Sequence, residues 1–429
     1  MIVMLAGFSC SGCQKFSSLF IGVKSIDAEQ LHETLEKGSK PLIMDIREKT
    51  KCQGGHIAGS ICLNEASIAG YLSQYPRPKG HQIIILCEDG WTSQITTATV
   101  MGQGYENVYS LHGGMQSWES QGYPLEVGPA IVVDPRQLEV PVVEISILSQ
   151  FAMTTAAFIV KPIYILLSFF IIVILWRRKE RDFLLLRNAM ILFFIGENAC
   201  SANYLLSANS SKSLEFIHGL GMVGMYLFLA WALVVFFDER IFNYSNFQKH
   251  CLFQKLCNRC WKHEDVRCGL HRIARYAVPA LAFFALVPLT MPLRPFEIIM
   301  PVFSSNVLWL KDFWNLFFEF RVYPILGAFC LLVAFTILGK GKDGFIKSQR
   351  PFFLGVGLTS YSFFRFGLLL TFRENQAWAD WWEEATEFVT IFLILLSLIL
   401  FRFQLNIRIP WFRPLAQDPF KKGKIDRRN

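Results

Sequence analysis

Two patterns of hydrophobic and polar residues divide the chain. Over residues 24–130, short apolar runs alternate with segments of helical periodicity, and charged residues occur throughout. The apolar runs predict buried strands at Pro41–Asp45, Gln82–Leu86 and Val108–Leu111, and the segments between them predict helices at Asp27–Lys37, Thr92–Gln103 and Gly114–Gln121. Strands that alternate with helices favour an α/β domain built on a parallel sheet.

Long apolar runs dominate the rest of the chain. Hydrophobic residues make up 52% of the sequence and are concentrated here. A helix needs about 20 apolar residues to cross a bilayer, and seven runs approach that length. They are Phe158–Trp176, Leu186–Ser207, Ile217–Phe237, Tyr276–Leu293, Val322–Leu338, Phe352–Thr371 and Phe388–Phe403. The pattern predicts an all-α polytopic membrane domain of about seven transmembrane helices.

The change in composition also predicts the domain boundaries. A signal-like or lipoprotein-like segment occupies residues 1–22, and the α/β domain occupies residues 23–128. Residues 129–156, which contain Pro129, Pro135 and Pro141, are expected to form a linker. The membrane domain is expected at 157–404, with a Cys-rich loop at 238–275, and a basic tail follows at 405–429.

The positions of Lys and Arg predict the orientation in the membrane. The formal net charge is +8, but the basic residues flank apolar runs, which argues for a lipid bilayer and against a nucleic acid as the partner. Alternate loops together carry 25 Lys and Arg, against six on the opposite side. Basic loops stay in the cytoplasm. We therefore expect an integral protein of a bacterial inner membrane, with a cytoplasmic C-terminus and an extracytoplasmic α/β domain.

The N-terminal segment is compatible with export. Met1–Phe8 is apolar, and the small residue and Gly that precede Cys13 resemble the lipobox of bacterial lipoproteins, which implies lipidation of Cys13. Two features depart from that pattern: Cys10 stands where the family prefers Leu, and no basic residue precedes the apolar stretch. An uncleaved signal segment and a misplaced start are the alternatives.

Cys87 is the candidate nucleophile of the α/β domain. It follows the apolar strand Gln82–Leu86 and opens a loop that leads into a helix. Sites of parallel sheets lie at the carboxyl ends of strands, and a turn that enters a helix directs several backbone N–H groups at one point. Such a point stabilises a thiolate. This arrangement suits attack on a sulfane sulfur, which gives a persulfide that a second nucleophile then collects.

Residues 26–127 resemble a single rhodanese domain. Asp45-Ile46-Arg47, Gly55-His56-Ile57-Ala58-Gly59-Ser60, the six-residue loop after Cys87 and the closing segment Leu111–Trp118 match the family's motifs in the right order. The resemblance covers about a quarter of the chain, and no family is recognised for the membrane half. It implies the α/β rhodanese fold and sulfurtransferase activity.

The resemblance also implies roles for individual residues. Cys87 would form the persulfide, and the N–H groups of its loop would hold the anion; the loop residues are Glu88, Asp89, Gly90, Trp91, Thr92 and Ser93. Asp45, Arg47 and His56 would support the site from behind, with His56 as a hydrogen-bonding strut rather than a base. A small sulfur-containing donor and a thiol acceptor, or a protein acceptor, are the implied partners, and the chemistry requires no cofactor.

The loop departs from the pattern of thiosulfate-specialised members. Those enzymes place basic residues after the Cys, whereas Glu88 and Asp89 stand there in this chain. Two carboxylates should raise the pKa of the thiol and repel thiosulfate. A persulfide is therefore as good a candidate donor as thiosulfate.

Two related functions fit the loop less well. A dual-specificity phosphatase shares the fold but needs Arg six residues after the Cys, where this chain has Ser93. A non-catalytic rhodanese module, used for binding or sensing, stays an alternative, although such modules usually lack the Cys that this chain retains.

Four more cysteines form a second candidate site. Cys251, Cys257, Cys260 and Cys268 lie within the loop predicted to be cytoplasmic. Four thiolates suit zinc or an iron–sulfur cluster. The alternative is a basic loop whose thiols have no shared role. The remaining cysteines, including Cys52 and Cys62, give no pairing signal in the sequence.

Glu197 and Arg365 interrupt predicted transmembrane helices. Ionisable residues inside a membrane are functional candidates by default. They are expected to pair with each other, to line a path for an anion, or to form structural ion pairs between helices. The leading hypothesis is therefore a membrane-anchored sulfurtransferase, and the alternative is a membrane transporter, or a redox or sensor module, for sulfur species.

Overall fold

The fold is described from a computed structural model of the chain. The structure describes residue 18 and residues 21–63, 65–74, 78, 80–127, 131–132, 144–207, 211–243, 248, 251–252, 269–303, 305–338, 344–372, 375–402 and 404–405. The predicted signal-like segment therefore lies almost wholly outside the described residues. The same is true of most of the Cys-rich loop and of the basic tail.

A six-stranded, all-parallel sheet forms the N-terminal domain. Its spatial order is β1-β5-β4-β2-β3-β6. The strands are β1 (Lys24–Ile26), β2 (Leu42–Asp45), β3 (Ile61–Cys62), β4 (Ile83–Leu86), β5 (Val108–Leu111) and β6 (Ile131–Val132). Its helices are α1 (Ala28–Glu36), α2 (Lys49–Gly54), α3 (Ile68–Gln74), α4 (Trp91–Gly102) and α5 (Gly114–Ser120). The α/β parallel-sheet prediction is confirmed.

The central strand β4 is buried on both faces, as a parallel sheet requires. Ile83 and Ile85 pack in one hydrophobic cluster, whereas Ile84 and Leu86 pack in another. Successive side chains of a strand point to opposite faces, so the continuous apolar run of β4 fills two cores. This double burial explains why the run could be recognised in the sequence.

The structure corrects the expectations for two other segments. Cys52 at the end of α2 and Cys62 in β3 form a disulfide with their Cα atoms 6.3 Å apart, although they gave no pairing signal in the sequence. The segment 129–156, predicted to be a linker, contains β6 and the beginning of a helix at Ile147.

The remainder of the chain is mostly helical. The helices are α6 (Ile147–Thr155), α7 (Lys161–Leu175), α8 (Arg181–Ser207), α9 (Lys212–Phe237), α10 (Gly269–Phe284), α11 (Phe313–Phe317), α12 (Tyr323–Leu338), α13 (Gly344–Thr371) and α14 (Gln376–Leu400). A π-helical segment joins α6 to α7, and another joins α11 to α12. A hairpin that the sequence analysis did not predict, β7 (Phe296–Val302) and β8 (Ser305–Lys311), follows α10.

Six continuous helical stretches of the described chain are long and apolar enough to cross a membrane. They span residues 147–175, 181–207, 212–242, 273–290, 313–338 and 346–371. The seventh predicted run lies within α14, which is not among the six and carries Glu383, Glu384 and Glu387 near its start. The described part of the chain therefore contains a helical region with six candidate membrane spans, where the sequence predicted about seven.

The chain divides into two compact units. The first combines residues 1–150, 200–216 and 275–367, and the second combines residues 151–199, 217–274 and 368–429.

Candidate active site

Cys87 lies at the carboxyl edge of the sheet, directly after β4. Its side chain is buried, with 5% of the residue exposed, and the following helix α4 begins four residues later. The strand therefore fixes the sulfur at one end of the loop, and the first turn of α4 fixes the other end. This is the edge at which parallel sheets place their sites.

Two backbone N–H groups point at the Cys87 sulfur. The N–H of Gly90 donates at an N···S distance of 3.1 Å, and that of Ser93 at 3.4 Å. The Ser93 hydroxyl oxygen lies 3.5 Å from the sulfur and also forms a 2.8 Å hydrogen bond with the hydroxyl of Ser110. These three groups form a cradle that can stabilise negative charge on sulfur.

The other loop residues face different partners. The N–H of Trp91 donates to the Asp89 carboxylate at 3.0 Å, and the same oxygen lies 3.6 Å from the Cys87 sulfur. The Glu88 carboxylate instead forms a 3.2 Å ion pair with Lys51. The backbone carbonyl of Thr92 accepts a hydrogen bond from the Thr96 hydroxyl. Of the predicted cradle, Gly90 and Ser93 therefore contact the sulfur, whereas the described contact of Thr92 is with Thr96.

Glycines pack the closing segment against this loop. Gly90 and Gly114 both have positive φ. A Cβ on Gly114 would lie 2.4 Å from the carbonyl oxygen of Cys87, and one on Gly90 would lie 2.9 Å from the backbone N of Gly113. The N–H of Met115 donates to that same Cys87 carbonyl at 2.9 Å. Close backbone contact of this kind requires glycine and holds the loop in place.

Burial raises the pKa of the Cys87 thiol, and the nearby Asp89 carboxylate raises it further. Hydrogen bonds from Ser93 and Gly90 act in the opposite direction. The sequence analysis assigned the rise to Glu88 and Asp89 together. In the structure burial is the larger cause, and Lys51 balances the charge of Glu88.

Asp45, Arg47 and His56 lie behind the site. The Arg47 guanidinium binds both carboxylate oxygens of Asp45 and donates to the carbonyl of Gly55 at 2.7 Å. His56 is buried, and its Nδ1 lies 3.0 Å from the carbonyl oxygen of Cys52. None of their described contacts involves the Cys87 sulfur, so these contacts serve the structure around the site.

The sequence analysis missed Ser110 and the role of the closing glycines. Ser110 is a buried serine in an apolar strand, and it orients the Ser93 hydroxyl. Buried hydroxyl groups are nearly always hydrogen-bonded. A serine within an apolar strand was therefore the signal in the sequence that this position has a polar partner. Gly113 and Gly114 stand side by side in the closing segment, a spacing typical of close backbone approach.

The second cysteine site falls largely outside the described residues. Cys251 is half-buried and carries a free thiol. Cys257, Cys260 and Cys268 lie outside the described residues, as does Cys13. Metal binding and lipidation at these positions stay predictions.

Glu197 and Arg365 each have an oppositely charged neighbour. Glu197 on α8 is fully buried and lies 2.6 Å from the Lys161 ammonium and 3.0 Å from Nε2 of His218. In the other unit, Arg365 on α13 lies 3.2 Å from Glu319. The contacts of both residues match the ion-pair alternative. Lys161 and Glu319 were available in the sequence as charges inside or beside apolar runs, and the sequence analysis overlooked them.

Comparisons with known proteins assign the N-terminal domain. The family model described as "Rhodanese-like domain" matches residues 27–121. Thiosulfate sulfurtransferase GlpE of Pseudoalteromonas translucida is 38% identical over 99 residues, which are 23% of this chain and 90% of that protein. The protein of the same name from Stutzerimonas stutzeri is 35% identical over 104 residues, which are 24% of this chain and 91% of that protein.

Solved structures of similar proteins each cover about a quarter of the chain. A rhodanese-related protein from Thermoplasma volcanium is 26% identical, with 24% of this chain and 97% of that chain covered and a TM-score of 0.21. The Alr3790 protein from Anabaena sp. is 25% identical, with 24% and 81% covered and a TM-score of 0.23.

Proposed function

Because the chain belongs to the rhodanese-like family through residues 27–121, we propose that it is a membrane-anchored sulfurtransferase in which Cys87 carries sulfane sulfur as a persulfide. The observation that carries this proposal is the pair of N–H groups, from Gly90 and Ser93, that point at the Cys87 sulfur. They supply the charge stabilisation that both a thiolate and a terminal persulfide need.

The reaction has two balanced steps. The Cys87 thiolate attacks the sulfane sulfur of the donor, a new S–S bond forms, and the donor leaves with the electron pair of its broken bond; from thiosulfate the leaving group is sulfite. An acceptor thiolate then attacks the terminal sulfur of the persulfide. The acceptor leaves as a persulfide, and the Cys87 thiolate is regenerated.

Two donors are in competition. The curated relatives are named thiosulfate sulfurtransferases, which makes thiosulfate the first donor to test. Lys51 balances the charge of Glu88, so Asp89 is the carboxylate that opposes an incoming dianion. A low-molecular-weight persulfide, which has one negative charge, would meet less repulsion.

Two observations support an extracytoplasmic rhodanese domain. Lys and Arg are concentrated in the loops that follow the first, third and fifth candidate spans, which lie on the side opposite to the N-terminal domain. The domain also contains the Cys52–Cys62 disulfide, and disulfides persist in oxidising compartments outside the cytoplasm. A cysteine introduced on the exposed surface of the domain should therefore react with a membrane-impermeant maleimide in right-side-out vesicles and be protected in inverted ones.

The enzymatic test uses the full-length protein in detergent. Thiosulfate, and separately a low-molecular-weight persulfide, is offered with a thiol acceptor, and the transferred sulfur is measured. Cys87→Ser should abolish transfer, whereas Cys251→Ser, which removes another free thiol of the described chain, should leave it unchanged. Transfer that persists in Cys87→Ser would refute the proposal.

The alternative function, a transporter or a redox or sensor module for sulfur species, is favoured by one observation. The membrane region buries several charged groups around Glu197, which is more than an anchor requires. In that case Glu197→Gln should reduce uptake of a sulfur compound into vesicles while transfer by Cys87 stays normal. Uptake that Glu197→Gln leaves unchanged would remove this alternative.

A further inference from the structure

Four membrane-region helices bring their polar side chains together in one unit of the molecule. Lys161 comes from α7, Glu197 from α8, His218 from α9, and Glu384 and Glu387 from α14. The Lys161 ammonium lies 2.6 Å from Glu197 and 2.8 Å from Glu384. The Tyr164 hydroxyl bonds both of these carboxylates. None of these residues belongs to the Cys87 site.

Glu387 differs from its neighbours in the cluster, because no hydrogen-bond partner for it is found in the described part of the chain. The residue is 4% exposed, and among the residues that the structure describes neither of its carboxylate oxygens has a partner. A buried carboxylate without a partner is costly. The site therefore contains an acceptor for which the described side chains provide no donor.

The charges of the cluster do not balance either. When ionised, Glu197, Glu384 and Glu387 carry three negative charges, whereas the Lys161 ammonium that pairs with two of them carries one positive charge. With a neutral imidazole, the cluster has an excess of two negative charges. Burying such an excess among membrane helices is unfavourable, and one divalent cation would cancel it.

The three donor atoms lie close to one another in the structure. One carboxylate oxygen from Glu197, one from Glu387 and a ring nitrogen of His218 lie within 4.8 Å of one another. Two donors bound to one ion at about 2.1 Å are at most about 4.2 Å apart. A shift of less than about 1 Å therefore brings all three donors onto one ion.

Close helix packing holds two of these donors in place. A Cβ on Gly221 of α9 would lie 2.8 Å from the Cα of Gly196 on α8. Glu197 follows Gly196 directly, and His218 lies one helical turn before Gly221. The contact of these two glycines therefore fixes the spacing of Glu197 and His218, whose ion-pair distance is 3.0 Å.

We propose that Glu197, His218 and Glu387 bind a divalent metal ion within the membrane region. Two carboxylates and one imidazole suit a borderline ion of the zinc type better than Ca²⁺ or Mg²⁺, which prefer oxygen ligands alone. Lys161, which also pairs with Glu384, orients the second oxygen of Glu197 from outside the metal's ligand shell. This site is independent of sulfur transfer at Cys87.

The test measures metal binding to the full-length protein in detergent. Cys251, Cys257, Cys260 and Cys268 are first replaced together by Ser, so that a thiolate site in the loop does not contribute, and a tag without histidines is used. The protein is stripped with a chelator and titrated with Zn²⁺, and bound zinc is counted by elemental analysis. We expect one zinc per chain, held more than about 10-fold more weakly in Glu387→Gln and in His218→Gln.

Glu383→Gln is the matched control, because it removes a carboxylate from the same turn of α14 and leaves the three ligands in place. It should bind zinc like the parent. Equal binding by the parent, Glu387→Gln and His218→Gln would overturn the proposal. If the parent protein binds no zinc, the proposal is also overturned. Protons bound to the carboxylates would then balance the charge of the cluster. A ligand variant is included only if it elutes as a monodisperse species in size-exclusion chromatography. If Glu387→Gln fails this criterion, His218→Gln supplies the test.

Discussion

The rhodanese domain and the membrane region assemble their polar sites in opposite ways. In the rhodanese domain, Cys87, Gly90 and Ser93 belong to one loop, and the contacts with the sulfur form within seven residues of sequence. In the membrane region, Lys161, Glu197 and Glu384 meet only because separate helices pack together. A site built within one loop depends on local backbone geometry, whereas a site built between helices depends on the whole bundle. Substitutions in the two regions should therefore have different consequences.

The largest effect on stability is expected in the membrane region. Lys161→Met removes the ammonium between Glu197 and Glu384 and leaves both carboxylates without it, which should lower the free energy of unfolding by about 3–5 kcal/mol. The midpoint of thermal unfolding in detergent measures this loss. Lys212→Met is the control, because Lys212 pairs with Asp312 through a side chain that is 65% exposed, and such pairs contribute about 0–1 kcal/mol. Equal midpoints for the two variants would contradict the comparison.

The next largest effect is expected on catalysis in the rhodanese domain. Gly114→Ala would place a Cβ 2.4 Å from the carbonyl oxygen of Cys87 and so displace the loop. A displacement of about 1 Å at a reacting group costs about 100-fold in rate, and steady-state sulfur transfer measures it. Gly122→Ala is the matched control: Gly122 also has positive φ, but nothing lies within 4 Å of its Cβ position. If both variants lose activity equally, backbone strain rather than loop displacement is the cause.

The Cys87 site could be predicted well from the sequence because it is built by local backbone geometry. The same dependence on local geometry makes the site sensitive to Gly114→Ala. Cys87 follows a strand whose apolar run was long enough to recognise, and α4 and α5 begin within one residue of their predicted starts. Strands β1, β3 and β6 have two or three residues each, too few for a periodic pattern. The partners of Glu197 were missed because Lys161 and His218 belong to other helices, and only packing brings them to Glu197.

The disulfide should have a smaller effect, confined to stability. Replacing Cys52 and Cys62 together by Ala frees a loop of ten residues, which should cost about 2–3 kcal/mol. Thermal unfolding of wild type with and without a reductant gives the same comparison without mutation. Among the described residues, neither cysteine contacts the Cys87 sulfur. Sulfur transfer by the folded double variant should therefore be unchanged. A reductant that destabilises the double variant as much as the wild type would contradict this account.

The smallest effect is a shift in pH dependence. The pKa of Cys87 is raised, so the thiolate fraction, and with it the rate of sulfur uptake, should increase about tenfold per pH unit until the pKa is reached. Asp89→Asn removes a charge that raises this pKa and should move the profile to lower pH. Glu88→Gln is the control, because Glu88 pairs with Lys51 instead. An equal shift in both variants would show that the net charge of the loop, rather than the Asp89 contact, sets the pKa.

The most direct test of the central claim is to locate the transferred sulfur. The full-length protein is incubated with thiosulfate or with a low-molecular-weight persulfide, alkylated, digested and analysed by mass spectrometry. The account predicts one additional sulfur atom on the peptide that contains Cys87 and none on the peptides that contain any of the other ten cysteines of the chain. Additional sulfur on another cysteine, or on none with either donor, would contradict the assignment of Cys87 as the sulfur carrier.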